Sequence, residues 1–413
     1  MAREMKDSGI EWIGEIPTDW SIGFAFQIFT PVKNRNIGLL ETNLLSLSYG
    51  KIKHKSINTT EGLLPESFDS YNIIECDDIV LRLTDLQNDH KSLRVGRSTE
   101  RGIITSAYLT LRPSNNSFSQ YMYYFLYSFD ICKGLYGMGS GVRQGLNWDD
   151  IKHLQILLPT LAEQQRIAVF LDRKCAEIDS IIADTQKTIE EYKALKQSII
   201  TEAVTKGVRG ERKMKDSGVE WIGKIADGFQ LTKLKYLCTI LDQYRSPIAA
   251  DQRSQKGEIL YDYYGASGVI DKIDGYTIDD HVMLIGEDGA NLRMRNLPLM
   301  YEVNGKAWIN NHAHILKPTE KTDFYFLFFA LECIDINVYI TGSAQPKLSQ
   351  DNLKQIWVPT PSYSEQREIA AYIREKCTAI DTLIAAKQQL LTELESYKKS
   401  VIYEYVTGKK EVQ

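Results

Sequence analysis

The sequence lacks several features that mark common classes of protein. It contains no Cys-x-x-Cys pair, so neither a disulfide framework nor a zinc site is indicated, and we expect reduced, mostly buried thiols in a cytoplasm. Its apolar runs are all shorter than ten residues, which excludes a helix that spans a bilayer. The segment after Met1 has no apolar stretch, so we expect no secretion signal.

A basic excess is also missing. The chain has 49 Lys and Arg against 54 Asp and Glu, for a net charge of −5. Proteins that clamp DNA alone usually carry an excess of basic residues, because neutralised phosphates supply much of the affinity. The charge balance therefore argues against a solitary, tight DNA binder. It allows local basic surfaces, or a partner that completes the clamp.

Two constant segments occur twice in the 413 residues, a length that suits two domains rather than one. The opening segment Met5–Gly14 recurs as Met214–Gly223 with nine of ten positions identical. A closing segment, with Pro159-Thr, Glu163-Gln, Ile167-Ala, Lys174-Cys and Ile178-Asp, recurs as Pro359-Thr, Glu365-Gln, Ile369-Ala, Lys376-Cys and Ile380-Asp. Residues 20–145 and 229–345 share little. We therefore predict two domains with variable inserts (1–158 and 214–358), two constant helical segments (159–206 and 359–413) and a linker (207–213).

The closing segments predict long helices with a heptad seam. The seam of the first is Leu171, Cys175, Ile178, Ile182, Thr185, Ile189, Tyr192, Lys196 and Ile199. The seam of the second is Ile373, Cys377, Ile380, Ile384, Lys387, Leu391, Leu394, Lys398 and Val401. Each helix should run about 38 residues, or about 57 Å, between a proline and Gly207 or Gly408. We favour antiparallel packing of the two seams, with Leu195 and Tyr397 covering the lysine layers. In the alternative, each helix packs only on its own domain.

The variable regions predict an α/β (α+β) fold with short strands. Strands are expected at 78–83, 103–111, 282–285 and 307–309, from their β-branched content and bounding turns. The aromatic segments 121–127 and 324–331 are expected to be helices whose rings pack in the core. The predicted fold is thus two variable domains in a pseudo-two-fold repeat, joined by a pair of long antiparallel coiled-coil helices.

Together these features resemble the specificity subunits of type I restriction-modification systems, over essentially the whole chain. The resemblance rests on the repeated opening, the two Glu-Gln-x-x-Ile-Ala helices and an ordered set of segments in the second half. These segments are Tyr263–Gly268, Gly286–Asn291, Asn310–His314 and Gly342–Leu348.

The resemblance implies that each variable region reads one half of a bipartite DNA site. It implies that the helices act as a ruler and dock two methyltransferase subunits, in an assembly with restriction/translocase subunits that defends the host against foreign DNA. S-adenosylmethionine, ATP and Mg²⁺ would then belong to the partners, and this chain would be a non-catalytic cytoplasmic subunit without a cofactor.

Candidate DNA contacts follow from the chemistry of base and phosphate recognition, in which Arg, Lys, Asn and Gln predominate. In the first domain they are Lys51, Lys53, Lys55, Lys91, Arg94, Arg97, Arg143 and Gln144. In the second they are Asn291, Arg293, Arg295, Gln345 and Lys347. For any single residue, an ordinary solvated charge is the alternative.

Several resemblances to catalytic or metal sites are discounted. Gly218–Lys224 imitates a phosphate loop, but Ile225 lacks the hydroxyl that would bind Mg²⁺. His312 and His314 have no evident third metal ligand. No segment has the Asn/Asp-Pro-Pro-aromatic pattern of adenine methyltransferases. A self-contained methyltransferase is therefore disfavoured, and a solitary DNA-tethering protein is the other alternative.

Overall fold

The chain divides into two units, which we describe one at a time. The computed structural model describes residues 3–57, 67–114, 117–138, 145–249, 259–343 and 345–412. Unit 1 comprises residues 1–186 and 389–413, and unit 2 comprises residues 187–388. Among the described residues, no helix is long and apolar enough to cross a bilayer.

The secondary structure mixes helices and short strands. The α-helices are α1 (Ala25–Ile28), α2 (Ser119–Ile131), α3 (Trp148–Ile151), α4 (Leu161–Lys206), α5 (Asn291–Met294), α6 (Phe324–Glu332), α7 (Gln350–Lys354) and α8 (Tyr363–Val406). The strands of unit 1 are β1 (Met5–Asp7), β2 (Glu15–Pro17), β3 (Ser21–Phe24), β4 (Phe29–Pro31), β5 (Leu44–Ser48), β6 (Lys51–Lys55), β7 (Asn72–Ile74), β8 (Ile79–Leu81), β9 (Val95–Arg97), β10 (Gly102–Ile104), β11 (Leu109–Pro113) and β12 (Gln155–Leu158). The strands of unit 2 are β13 (Met214–Asp216), β14 (Lys224–Ala226), β15 (Gln230–Lys233), β16 (Cys238–Ile240), β17 (Leu260–Gly265), β18 (Gly268–Asp274), β19 (Ile278–Gly286), β20 (Met300–Ile309), β21 (Ala313–Pro318) and β22 (Trp357–Thr360).

The repeated opening segment folds identically in both units. In unit 1, β1 and β2 form an antiparallel hairpin, and β13 and β14 form the same hairpin in unit 2. The Asp-Ser-Gly turn explains why these three residues are the same in both segments. The Asp7 carboxylate accepts the Gly9 N–H at 2.9 Å, and the Asp216 carboxylate accepts the Gly218 N–H at 2.8 Å. The segment that imitates a phosphate loop is therefore a hairpin turn.

The seam residues of α4 and α8 lie on the less exposed face of each helix, either buried or half-buried. In unit 1, the Phe170 and Tyr405 rings lie 4.4 Å apart and Asp179 pairs with Lys398 at 2.6 Å. Ascending positions on α4 thus meet descending positions on α8, so the two segments are antiparallel within this unit. The helices span 46 and 44 residues, longer than expected, because each continues into the core of a unit at both ends.

The lysine layers of the seam are occupied by ion pairs. Lys398 pairs with Asp179 in unit 1, and at the equivalent positions of unit 2 Lys196 pairs with Asp381 at 2.7 Å. The prediction that Leu195 and Tyr397 cover these layers is wrong, since both side chains are about half exposed. An aspartate on the opposite helix segment satisfies each lysine instead.

A glycine ends each long helix. Gly207 and Gly408 have φ of +76° and +73°, the left-handed conformation that closes a helix at low cost only for glycine. A Cβ at Gly408 would also come within 2.4 Å of the Pro17 ring and 3.1 Å of Trp20. This glycine therefore permits close contact between the end of α8 and the start of the chain.

The repeated Glu-Gln pair holds each insert onto its helix. Gln164 accepts the Phe118 N–H at 2.9 Å and donates to the Pro159 carbonyl at 3.0 Å. Gln366 repeats both bonds, accepting from Asp323 N at 2.8 Å and donating to the Pro361 carbonyl at 3.1 Å. These amides tie the N-termini of the aromatic helices α2 and α6 to α4 and α8.

Replacing Gln164 by alanine should lower the stability of unit 1 by about 2 kcal/mol, because it leaves the half-buried Phe118 N–H and the buried Pro159 carbonyl without this partner. The neighbouring Gln165 is exposed, so Gln165→Ala should change stability by less than about 0.5 kcal/mol. Denaturant unfolding of both variants measures the difference. Equal stabilities would show that the amide does not anchor α2.

The inserts differ between the units. In the described part of its insert, unit 1 has two four-stranded sheets, in the orders β6-β5-β10-β7 and β4-β11-β8-β9. The described part of the unit 2 insert has one six-stranded sheet, β16-β21-β19-β20-β17-β18. The shared frame has one further pairing, in which β3 pairs with β12 and β15 with β22. One constant frame therefore holds two different inserts.

The predicted core aromatics are confirmed, since Tyr121, Phe125 and Phe326 are buried. The predicted strand at 103–111 is wrong in one respect: it is two strands, β10 and β11. They are separated by a turn that is closed by a bond from Tyr108 N to Thr105 O at 3.1 Å. Hydrogen bonding within this turn outweighs the β propensity of the residues around it.

Candidate nucleic-acid interface

Three of the predicted lysines lie on one exposed strand. Lys51, Lys53 and Lys55 alternate along β6, an edge strand of its sheet, so their side chains project from the same face. Ile52, between them, is half-buried against the sheet core. Lys51 Nζ lies 3.6 Å from the Asp179 carboxylate on α4. The strand therefore presents a cationic row beside the long helix.

A cleft of about 530 Å³ in unit 1 brings predicted and unpredicted lysines together. It is lined by Lys51 and Lys91 of the insert and by Lys398 and Lys399 of α8. The two lysines of α8 were missed as site candidates, because the heptad pattern accounts for Lys398 as a seam residue. The sequence feature that could have indicated them is the pair of adjacent lysines in the last third of α8.

Arg94 has a different environment from the other predicted arginines. Its side chain is fully buried, and the guanidinium donates to four backbone carbonyls, those of residues 82, 84, 85 and 89. Nε donates to the Tyr136 hydroxyl at 3.0 Å. Every N–H direction is thus used inside the domain, so we assign Arg94 a structural role. It holds the loop that carries the exposed Lys91.

The remaining predicted residues of unit 1 divide into two groups. Arg97 is half-buried and its guanidinium bonds the Asp77 carboxylate. Arg143 and Gln144 lie outside the described residues.

In unit 2, the two predicted loops lie side by side. Arg293 Nη2 donates to the Gly342 carbonyl at 3.0 Å, which connects the α5 segment to the turn that carries Gln345 and Lys347. Gly342 has φ +81°, and a Cβ there would come within 2.5 Å of the Gln345 carbonyl. The turn therefore requires glycine, and it leaves Gln345 and Lys347 exposed.

Asn291 and Arg295 are engaged within the fold. The Asn291 amide donates to the carbonyls of Leu297 and Pro298 at 3.2 and 3.1 Å and accepts from Leu297 N at 2.8 Å. Arg295 donates to the carbonyl of Glu332 and lies 3.3 Å from its carboxylate. Burial raises the pKa of Glu332, and the Arg295 charge partly opposes this. Both side chains shape the loop rather than project from it.

The two histidines of the β21 segment each pair with a carboxylate. His312 lies 2.8 Å from Asp288, and His314 lies 2.6 Å from Asp242. In the part of the chain that the structure describes, no group of three or more His, Cys, Asp or Glu side chains could hold a metal ion.

Comparison with known proteins identifies the family. A family model described as the type I restriction modification DNA specificity domain matches residues 100–191 and 226–396, more than half of the chain. The chain is 26% identical over 420 residues to a type I restriction enzyme MjaX specificity subunit of Methanocaldococcus jannaschii, covering 96% of this chain and 95% of that one. The MjaVIII specificity subunit of the same organism is 24% identical over 334 residues, covering 75% of each chain.

A solved structure supports the fold. The chain matches it with a TM-score of 0.71 at 14% identity, over 96% of this chain and 99% of that one. That structure is described as showing complex assembly and conformational transition of the type I R-M system. With the twice-built frame and the family match, this similarity leads to one conclusion: the chain belongs to the DNA specificity family of type I restriction-modification systems.

Proposed function

We propose that this chain is the sequence-reading subunit of a type I restriction-modification enzyme, and that each unit reads one half of a bipartite DNA target. The observation that carries the proposal is the constant frame built twice around two different inserts. Each insert exposes basic or amide side chains, Lys51, Lys53 and Lys91 in unit 1 and Gln345 and Lys347 in unit 2. Different inserts on one frame suit different half-sites in a single target.

The long helices suit the spacing of such a target. Half-sites read from one face of B-DNA lie about one helical turn apart, roughly 34–36 Å. A helix keeps a fixed rise of about 1.5 Å per residue, whereas a flexible linker of similar length would allow many separations. We therefore assign α4 and α8 the role of a ruler that sets the unread spacer.

The chemistry of the enzyme is assigned to partner subunits. Methyl transfer to adenine with S-adenosylmethionine would belong to two methyltransferase subunits docked on the helices. ATP and Mg²⁺ would be used by restriction/translocase subunits. The scattered cysteines and a DNA substrate suit assembly in the cytoplasm. This chain would contribute recognition and assembly.

A groove on α4 is the docking site that we assign to one methyltransferase subunit. It has a volume of about 620 Å³ and is lined by Arg166, Val169, Phe170 and Arg173 among others. Val169 is 59% exposed, an unusual solvent exposure for a valine on a long helix. The position equivalent to Phe170 in unit 2 is Tyr372, which lines a groove of about 680 Å³.

Val169→Glu should reduce recovery of the methyltransferase subunit with this chain at least tenfold, because it places an unpaired charge in a contact that we expect to exclude water. Ile181→Glu is the matched control, since Ile181 is an exposed apolar residue of the same helix outside the groove. Affinity purification of the co-expressed complex measures both. Normal recovery with Val169→Glu would place the dock elsewhere.

Sequencing of methylated adenine in genomic DNA, with the gene intact and deleted, tests the proposed function. We expect a motif of two short defined blocks around an unspecified spacer, and we expect its methylation to disappear on deletion. If adenine methylation is unchanged although the partner methyltransferase is expressed, the proposal fails and the DNA-tethering alternative replaces it. Methyl transfer by the purified chain alone would support the self-contained methyltransferase instead.

A further inference from the structure

An enclosed ionisable contact of unit 2 involves His314, whose side chain is 1% exposed. Its Nδ1 lies 2.6 Å from the Asp242 carboxylate, and its Nε2 lies 2.8 Å from the carbonyl oxygen of Leu348. Both partners can only accept a hydrogen bond. Neutral imidazole has a single N–H, so both bonds form together only when the ring carries two protons. The geometry is therefore that of an imidazolium.

Three further charged side chains, those of Arg245, Glu287 and Lys347, extend this contact into a cluster. Arg245 lies between the two carboxylates, 3.3 Å from Asp242 and in direct contact with Glu287. Glu287 also lies 3.9 Å from His314 Nε2 and 3.0 Å from Lys347 Nζ. The cluster thus runs from the buried histidine to a lysine on the turn that we assign to DNA recognition.

Both carboxylates of the cluster are ionised. Burial alone would raise the pKa of Asp242, but the hydrogen bond from His314 and the charges of His314 and Arg245 outweigh it and lower the pKa. For Glu287, burial is likewise outweighed by hydrogen bonds from Arg245 and Lys347, and the pKa is lowered. Two negative charges therefore need two positive partners inside the domain.

The charge count decides what remains for Lys347. With a neutral histidine, Arg245 and Lys347 would be consumed in balancing Asp242 and Glu287. With the imidazolium, Arg245 and His314 balance them, and one positive charge is left over. The side chain of Lys347 is 56% exposed, whereas the other four side chains of the cluster are at most 19% exposed. The excess charge is therefore presented at the surface.

We propose that His314 is a positioning residue for DNA recognition: its imidazolium gives the cluster one net positive charge, which Lys347 presents at the surface to the second half-site. This inference rests on the proposed function. His314 also holds the recognition turn directly, through the carbonyl of Leu348, the residue that follows Lys347. The sequence does not signal this arrangement, because its members come from four separate segments, with Asp242 and Arg245 on the same turn.

The test is the salt dependence of DNA binding by the assembled complex of this chain and its methyltransferase subunits. A protein that loses one effective contact charge loses about one unit from the slope of log affinity against log salt. We expect His314→Gln to lower the slope by about one and to weaken binding about tenfold at physiological salt. An unchanged slope and affinity in a folded His314→Gln complex would overturn the inference.

Charge rescue separates this role from a merely structural one. In the double variant His314→Gln with Glu287→Gln, Arg245 balances Asp242 and the cluster regains one net positive charge at Lys347, so the slope should return to the wild-type value. A folded double variant that keeps the lowered slope would contradict the proposal. Lys321→Ala is the matched control, since it removes an exposed lysine of unit 2 outside the cluster and should leave the slope unchanged.

A spectroscopic measurement keeps the inference testable if the variants fail to fold. In the full wild-type chain with ¹⁵N-labelled histidine, both ring nitrogens of His314 should carry protons at neutral pH. A single protonated nitrogen would overturn the inference. The two proposals fail separately: a wild-type complex with no preferred DNA sequence contradicts the proposed function, whereas a sequence-specific complex with a neutral His314 contradicts only this inference.

Discussion

Adding one heptad to each long helix will lengthen the unread spacer of the DNA target by about three base pairs and leave the recognised bases unchanged. Seven residues add about 10 Å to a helix, and base pairs of B-DNA are stacked about 3.4 Å apart. The insertions belong after Gln186 and Gln388, where the two units divide. Duplicating residues 180–186 and 382–388 preserves the seam, because a heptad restores the same helix face. Sequencing of methylated adenine in strains that carry the duplication gives the new spacer directly.

The control is a heptad in α4 alone. Within unit 1, Asp179 faces Lys398, and within unit 2, Lys196 faces Asp381. Lengthening one helix forces at least one of these pairs out of register, so we expect an unstable or inactive chain rather than a longer spacer. An active chain with matched insertions and an unchanged spacer would show that the helices are not the ruler.

Trp20→Ala will destabilise unit 1 by about 3–5 kcal/mol, a large share of the roughly 5–15 kcal/mol that stabilises a typical domain. The indole is buried, its Nε1 donates to Glu163 at 3.0 Å, and Arg3 lies over its ring at 5.4 Å. Alanine would remove both contacts and leave a cavity beside Gly408. Hydrogen exchange should show the loss of protection in unit 1 first.

Unit 2 provides the matched comparison for this substitution. Phe229 occupies the position of Trp20, with Arg212 over its ring at 5.8 Å and Arg212 paired with Glu365 at 2.6 Å. Trp20→Phe should therefore lower the free energy of unfolding of unit 1 much less than Trp20→Ala does. Phe229→Ala should reduce the hydrogen-exchange protection of unit 2 instead. Equal loss of protection in both units with Trp20→Ala would contradict separate cores.

The repeated frame could be predicted from the sequence because its determinants are local. The Asp-Ser-Gly turn, the heptad spacing and the closing glycines each depend on residues close together in sequence. Each of these features occurs in both repeats. The aromatic helices were predictable for the same reason. The hydrogen bonds that attach each insert to the frame were not predictable, since Gln164 and Phe118 are 46 positions apart in sequence.

The candidate site was less predictable, because the density of basic residues does not reveal burial. Arg94 stands between Leu93 and Val95, and this apolar setting is the one local sign that its side chain points inward. Asn291 stands between Ala290 and Leu292, but apolar neighbours also flank the exposed Arg293, so neighbours gave no sign there. Asn291 nevertheless bonds within its loop, and Arg295 bonds Glu332 at the end of α6. The cluster around His314 depends entirely on long-range contacts, which no spacing rule captures.

The most direct test of two independent reading heads is the methylated motif of a strain that carries Gln345→Ala and Lys347→Ala together. Both residues lie on the recognition turn of unit 2, and the substitutions leave unit 1 untouched. We predict relaxed or lost discrimination in one block of the motif, with the other block and the spacer unchanged. Loss of discrimination in both blocks by a folded, assembled complex would contradict the account that each unit reads its own half-site.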